Sequence, residues 1–273
     1  MRYVILGLIQ GLTEFLPVSS SSHLIISQNL LGVEITGIAF DIFVHLGTSL
    51  AVVLWFKQEL IEIISSFFKS IFKLNNWDNF SNYLKEDSYC KFAWLLVIST
   101  IPAALIGYFF QDILEQTFQN FYFIAAMLII TGLCLVLTDR FFTQNYRIIE
   151  ELNFVDALLI GLAQALAIIP GISRSGFTIM MSLGRGLERN LAAKYSFILS
   201  VPIVIGASLY KCKEIFQLNI NIFILLISGF IAFISGYLAI GFFIKILTSH
   251  KLRFFGYYLW VFAALIFFIK IKN

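Results

Sequence analysis

The sequence predicts an all-α integral membrane protein, with six transmembrane helices and two re-entrant helix pairs arranged as inverted-topology repeats. Three observations lead there. Of 273 residues, 59% are hydrophobic and only 13% charged, with a mean hydropathy of +0.89, too little polar sequence to cover a soluble surface. Two long apolar regions are each interrupted by proline and serine. Sliding the chain by 154 residues superposes Gly7 on Gly161, Leu8 on Leu162, Gln10 on Gln164, Leu12 on Leu166, Ser19 on Ser173 and Ser21 on Ser175, with the prolines one position out of register.

Crossing a hydrocarbon core of about 30 Å takes roughly twenty mostly apolar residues. Six stretches qualify: residues 37–56, 92–111, 119–138, 193–210, 221–244 and 254–271. Residues 3–31 are broken by Pro17 and the serines at 19–22, and residues 155–187 by Pro170 and Gly171 followed by Ser173, Arg174, Ser175 and Gly176. Proline removes a backbone donor and clashes with the preceding turn, and serines compete for backbone hydrogen bonds. Each region therefore reads as two half-helices. Irregular backbone at membrane depth survives only where protein or water covers it, so the two breaks should line one cavity. A single membrane domain results, with one repeat over about 1–138 and the other over about 155–273. Each repeat holds one broken pair and three crossings, and an odd number of crossings inverts the second copy.

At the N-terminus, Arg2, an apolar run and small residues imitate a secretory signal, but Gln10 and Glu14 interrupt its apolar region, so the segment reads as mature protein. Residues 57–73 place Leu60, Ile64, Phe67 and Ile71 at helical spacing beside lysines. This fits a helix lying on the membrane face or an extension of the preceding crossing. Residues 75–90 are polar and read as a loop.

Cytoplasmic loops carry excess Lys and Arg. Placing residues 57–91 inside puts thirteen basic residues on that side, in segments 57–91, 140–147, 185–194 and 245–253. Five remain outside (Arg2, Lys211, Lys213, Lys270 and Lys272), both termini are outside, and Arg174 alone among Lys and Arg lies within the membrane. The net charge of +3, with no basic cluster interleaved with aromatics, argues against nucleic acid as a partner. Cys90, Cys134 and Cys212 are isolated and suggest neither a disulfide framework nor a zinc site, only buried small hydrophobes. The thirty phenylalanines are assigned to lipid-facing and packing positions.

Ionisable groups inside membrane-length apolar sequence are expensive and mark functional sites by default. Glu14 and His23 flank the first break, with Ser19, Ser20, Ser21 and Ser22 between them. The start of a helix offers free amides and a favourable dipole to phosphate or carboxylate. If a helix begins near Ser19, Ser20 and His23 share a face. Glu14 could hold a metal, accept a proton or orient His23. Taken alone, the serines also suit a helix cap and His23 a satisfied core position. Arg174 sits on the second break between Ser173 and Ser175, and its guanidinium matches phosphate oxygens and demands an anionic partner in a cavity. At rest that partner could be Glu14.

The run from Gly11 to Ser20 (GLTEFLPVSS), ending at His23, and the run from Pro170 to Gly176 (PGISRSG) resemble the two signature motifs of the undecaprenyl-diphosphatase family, also called bacitracin resistance proteins. The similarity extends over essentially the whole chain. It implies a multi-pass enzyme of the bacterial inner (cytoplasmic) membrane with an active site open to the outer face. Such an enzyme removes one phosphate from undecaprenyl diphosphate, recycling the lipid carrier of cell-wall synthesis and conferring bacitracin resistance. It also implies a divalent cation, Mg²⁺ or Ca²⁺, with Glu14 as its ligand. The functional positions fall on Glu14, Ser20, His23 and Arg174 as catalytic residues, with Ser19, Ser21, Ser22, Ser173, Ser175 and Gln10 around the substrate. Many members carry a second glutamate where this chain has Gln10, and glycine where it has Ser22. Gln10 cannot serve as a carboxylate base.

Ser20 is the favoured nucleophile, with Glu14 or His23 taking its proton; direct attack by His23, or by a water activated by Glu14, are the alternatives. The expected partners are a polyprenyl diphosphate lipid, the bilayer and a second copy in a homodimer. The rival function is a flippase for the lipid carrier phosphate, since inverted repeats and broken helices suit alternating access as well as hydrolysis.

Overall fold

A computed structural model describes residues 1–33, 37–73, 77–111, 113, 117–118, 120–141, 147–211, 221–249 and 251–272. Among these the regular structure is helical, apart from an isolated bridge between Arg147 and Leu187. The order is α1 (Arg2–Glu14), α2 (Ser20–Leu30), α3 (Gly37–Trp55), α4 (Lys57–Ile71), α5 (Trp77–Glu86), α6 (Ser88–Phe109), α7 (Phe121–Phe141), a 3₁₀ turn (Ile149–Glu151), α8 (Phe154–Leu166), α9 (Arg174–Gly184), α10 (Arg189–Tyr210), α11 (Ile222–Ser249) and α12 (Arg253–Lys272).

Both sequence breaks are breaks in the structure. Residues 15–19 separate α1 from α2, and residues 167–173 separate α8 from α9. The half-helices match in length, 13 residues for α1 and α8 and 11 for α2 and α9. Their packing partners are crossed: α1 lies on α11, near the C-terminal end of the chain, while α8 lies on α6 from the N-terminal half. Glycine makes both approaches close. A Cβ on Gly7 would stand 2.4 Å from the Ser228 carbonyl oxygen of α11, and one on Gly161 would stand 2.6 Å from the Ser99 carbonyl oxygen of α6.

The count of crossings differs from the sequence reading. Among the described residues, α6, α7, α10 and residues 222–247 are each long and apolar enough to span a membrane, and α3 with α4 makes a fifth if that pair counts as one span. Residues 253–268 of α12 form a shorter apolar helix. The reason for the uncertain fifth is a bend: α3 and α4 meet at 87° around Phe56. Thus α4 lies across the end of α3 and does not extend it. Leu60 and Phe67 pack into the core while Ile61, Ile64, Phe68 and Ile71 remain exposed, the division an interfacial helix needs.

The segment read as a loop, residues 75–90, holds α5 and the start of α6; residues 74–76 lie outside the described set. A polar helix becomes stable there because Phe80 is buried against Trp94 at 5.7 Å between ring centroids. Asp87 then caps α6 by accepting from the Cys90 amide at 3.0 Å. Cys90 is buried and Cys134 half-buried, both free; Cys212 lies outside the described residues.

The basic segments that charge counting placed on one side do meet. Lys91 reaches the Glu150 carbonyl, Arg147 the Arg185 carbonyl, Lys194 pairs with Glu59, and Arg189 joins Asp139 to the Leu247 carbonyl. At their centre Asp156, fully buried at the start of α8, pairs with Arg147 at 2.8 Å and Arg185 at 2.6 Å. One end of the bundle is therefore a connected charged face.

Candidate active site

The two breaks face one another across a cavity of about 190 Å³. Ser19, Ser20 and Ser21 line it from the start of α2, Ser173, Arg174 and Ser175 from the start of α9, and Glu14 from the end of α1. Two helix N-termini thus converge on one space, where amides and dipole favour an anion. The remaining wall comes from Ala103 on α6, Ile203 and Val204 on α10, residues of the second break and Gln164 on α8. Those positions on α6 and α10 lie in the halves of the helices away from the charged face. Ala103 directly follows the in-helix Pro102, and Ile203 and Val204 follow Pro202.

Glu14 is the hub. Its Oε1 accepts from Arg174 Nη2 at 2.6 Å, and its Oε2 accepts from Ser20 Oγ at 2.7 Å and from Gln10 Nε2 at 2.7 Å. Buried at 8% exposure, the carboxylate would be costly without these donors. A serine hydroxyl donating to a carboxylate whose other oxygen is fixed by a third group is the arrangement of an activated nucleophile. Arg174 also donates to the Ser196 carbonyl at 3.1 Å, which holds the guanidinium at the cavity wall. Gln10 stands beside the cavity as a support for Glu14.

The serines divide by role. Ser173 caps α9, accepting from the Gly176 amide at 3.2 Å, and Ser175 donates to the Leu16 carbonyl at 2.9 Å, tying the second break to the first. Ser19 precedes α2 at φ 63°, the only non-glycine residue with positive φ among those described, and makes no side-chain cap. Its hydroxyl meets Ser22 Oγ at 2.9 Å and Ser21 Oγ at 3.4 Å. Ser22 is fully buried and is absent from the cavity wall.

His23 is also absent from that wall. Its ring stacks on Phe262 with centroids 4.1 Å apart, and its Nε2 lies 2.7 Å from the Tyr258 hydroxyl of α12. Nδ1 lies 2.9 Å from the Ser19 carbonyl, which only accepts, so Nδ1 carries the hydrogen and a neutral ring takes the Tyr258 hydroxyl at Nε2. Both ring nitrogens are committed away from the cavity, so this geometry does not deliver a proton acceptor or a nucleophile from His23. The residue instead holds the left-handed Ser19 carbonyl in place.

One cavity residue was missed by the sequence reading. His45 of α3 lines the site with Nε2 3.7 Å from Glu14 Oε2. The criterion that singled out Glu14, an ionisable group within an apolar span, applies equally to Asp41 and His45 in residues 37–56.

A divalent cation on Glu14 meets a test in this donor set. Among the described residues no three His, Cys, Asp or Glu side chains cluster, and Arg174, Ser20 and Gln10 already take three of the about four lone-pair directions of the Glu14 carboxylate. The residues do not fit a resident ion on this carboxylate. Two buried neutral oxygens among the described residues, Gln10 Oε1 and Gln164 Oε1, have no hydrogen-bond partner, and of the two residues Gln164 lines the cavity.

Residues 3–265 match the family profile described as bacitracin resistance protein BacA. The chain belongs to the BacA family. Relatives within it include the undecaprenyl-diphosphatase of Methanobrevibacter smithii, 40% identical over 269 residues that cover 98% of this chain and 96% of that protein. Undecaprenyl-diphosphatase 1 of Shouchella clausii is 37% identical across 98% of this chain and 95% of its own length. The undecaprenyl-diphosphatase of Desulforapulum autotrophicum is 40% identical, with 94% of each chain covered. The BacA match spans both breaks and every described residue of the cavity wall.

Proposed function

We propose that this protein hydrolyses undecaprenyl diphosphate to undecaprenyl phosphate and inorganic phosphate, as the names of its relatives state for them. The observation that carries the reading is the Ser20, Glu14 and Arg174 cluster, placed where two helix N-termini meet in one cavity. In this reading Ser20 Oγ attacks the terminal phosphorus and Glu14 receives its proton. Arg174 turns part of its fork from Glu14 to the phosphate oxygens, and the serine hydroxyls and helix-start amides supply further donors. A divalent cation carried on the diphosphate would neutralise its charge, with the Gln164 carbonyl oxygen as one neutral donor on the cavity wall.

The finer architecture is part of the same proposal. Equal half-helix lengths, the crossed packing of α1 on α11 and α8 on α6, and the matched contacts of Gly7 and Gly161 support two inverted repeats. The connected charged face supports a cytoplasmic assignment for that end under the positive-inside rule, which leaves the cavity in the outer half of the bacterial inner membrane. A homodimer belongs to the proposal too, and the mass of the detergent-solubilised particle checks it.

The test is phosphate release from a prenyl diphosphate by purified protein in detergent, where no second compartment exists. Release by the wild type and its loss in Ser20→Ala are expected. A protein that binds the lipid without releasing phosphate would point to carrier transport, a reading that the relatives' phosphatase names do not favour.

A further inference from the structure

We propose that His45 is the second proton acceptor of this site, taking from Glu14 the proton that Glu14 receives from Ser20; the inference rests on the phosphatase reading. Among the described residues lining the cavity, Glu14 is the only carboxylate. Arg174, Ser20 and Gln10 already occupy its oxygens at 2.6, 2.7 and 2.7 Å. A proton passed along the Ser20 hydrogen bond discharges the carboxylate that Arg174 and Gln10 hold as an acceptor, so an onward acceptor is needed to restore its charge. Gln10 cannot provide it, because an amide does not accept a proton at ordinary pH. Both nitrogens of His23 face away from the cavity.

His45 has the required free nitrogen. Its Nδ1 lies 2.7 Å from the Asp41 carbonyl, an oxygen that only accepts, so Nδ1 carries the hydrogen and the neutral ring presents a lone pair at Nε2. That nitrogen is 3.7 Å from Glu14 Oε2, the same oxygen that accepts from Ser20. The gap is one a small side-chain shift or a single water closes. The side chain is 28% exposed, against 7% for Glu14, which gives the proton a route to water. The ring is also held in place: Gln28 donates to the Asp41 carboxylate at 3.3 Å, and α3 is pressed onto α11 where a Cβ on Gly47 would stand 2.1 Å from the Gly229 carbonyl oxygen.

The reaction balances without another reagent. A bond forms between Ser20 Oγ and the terminal phosphorus as the bridging P–O bond breaks and the lipid monophosphate leaves. The hydroxyl proton passes through Glu14 Oε2 to His45 Nε2. Water then attacks the phosphoserine, the P–Oγ bond breaks, inorganic phosphate leaves with the protons of that water, and Ser20 recovers its own proton by the reverse path.

The experiment uses the full chain in detergent with a short prenyl diphosphate, and compares wild type, His45→Asn and His45→Ala with and without added imidazole. Asparagine can keep a donor toward the Asp41 carbonyl, so it preserves the local structure while removing the acceptor. Both variants are expected to lose ~10²-fold in kcat with KM nearly unchanged, and imidazole should restore turnover to His45→Ala by filling the vacated space. Wild-type kcat in His45→Asn overturns the proposal. So does a loss in His45→Ala that imidazole leaves untouched while the melting temperature and KM match the wild type. A wild-type protein that releases no phosphate is a different result, and it removes the phosphatase reading itself.

Discussion

The chain turns through the first break in five residues, 15–19, and enters α2 from a left-handed Ser19 with no side-chain cap; it takes seven, 167–173, to reach an extended Ser173 that caps α9 in the ordinary way. The half-helices on either side match in length, so the difference lies in what each break does with its serine. In the second, the N-cap hydroxyl is committed to the Gly176 amide and Arg174 follows as the first residue of the helix. In the first, the left-handed cap withholds that hydroxyl from the backbone, and Ser20 is directed onto Glu14. In the proposed function one break holds the anion and the other reacts with it. Backbone strain of order 1–3 kcal/mol is tolerable at one residue when the surroundings fix it, and here the His23 ring bonded to the Ser19 carbonyl is part of that fixing.

The largest effects should come from the reacting half. Ser20→Ala is expected to lower kcat by ~10³-fold or more while leaving lipid binding in place, and trapping a phosphorylated Ser20 in the wild type would locate the nucleophile directly. Near wild-type turnover in Ser20→Ala would instead give the attack to water and erase the proposed division of labour.

Next comes the link between the breaks. Arg174→Ala should cost ~10²–10³-fold in kcat/KM and, unlike Ser20→Ala, should raise KM. Glu14→Gln leaves Arg174 without the charge of its 2.6 Å partner, so the double variant should lose less than the product of the single losses. Full activity in Arg174→Ala would undo the assignment of the second break as the anion holder.

A third contrast concerns anchoring. The second pair is fastened to the charged face through Asp156, whereas at the start of α1 Arg2 reaches only the Gly32 carbonyl at 3.2 Å. Removing a buried partner is expensive, but Arg147 and Arg185 keep 27% and 36% side-chain exposure and regain water. Asp156→Ala should therefore destabilise by about 1–3 kcal/mol, read as a lower melting temperature with kcat unchanged in the surviving fraction. The corresponding Arg2→Ala should leave the melting temperature where it was.

The smallest effect tests the caps themselves. Ser173→Ala should cost ~1 kcal/mol through the lost cap, while Ser19→Gly should gain ~0.5–1 kcal/mol because glycine accepts a positive φ without penalty. Opposite signs at these two serines, measured by thermal unfolding in the same detergent, would sharpen the comparison; equal signs would remove it.

The sequence by itself determined the membrane class, the two breaks and the choice of Glu14, Ser20 and Arg174 as candidates, because composition, proline and an ionisable group in an apolar run are local signals. The basic segments that charge counting grouped do meet at one end of the bundle, since each loop's charge is a property of its own residues. Tertiary structure decided what depends on direction. The bend at Phe56 decided between the two readings that periodicity left open, setting α4 across the end of α3, and burial of Phe80 under Trp94 made a helix of a polar stretch read as loop. His23 shares a helix with Ser20, yet its ring went to Tyr258 and Phe262, because a neighbouring helix 235 positions away in sequence offered a hydroxyl and an apolar face. His45 came to Glu14 by the same kind of long-range packing, along an α3 that no motif had marked. Period and composition report which side chains are costly to bury; only the packed neighbours fix where each one points.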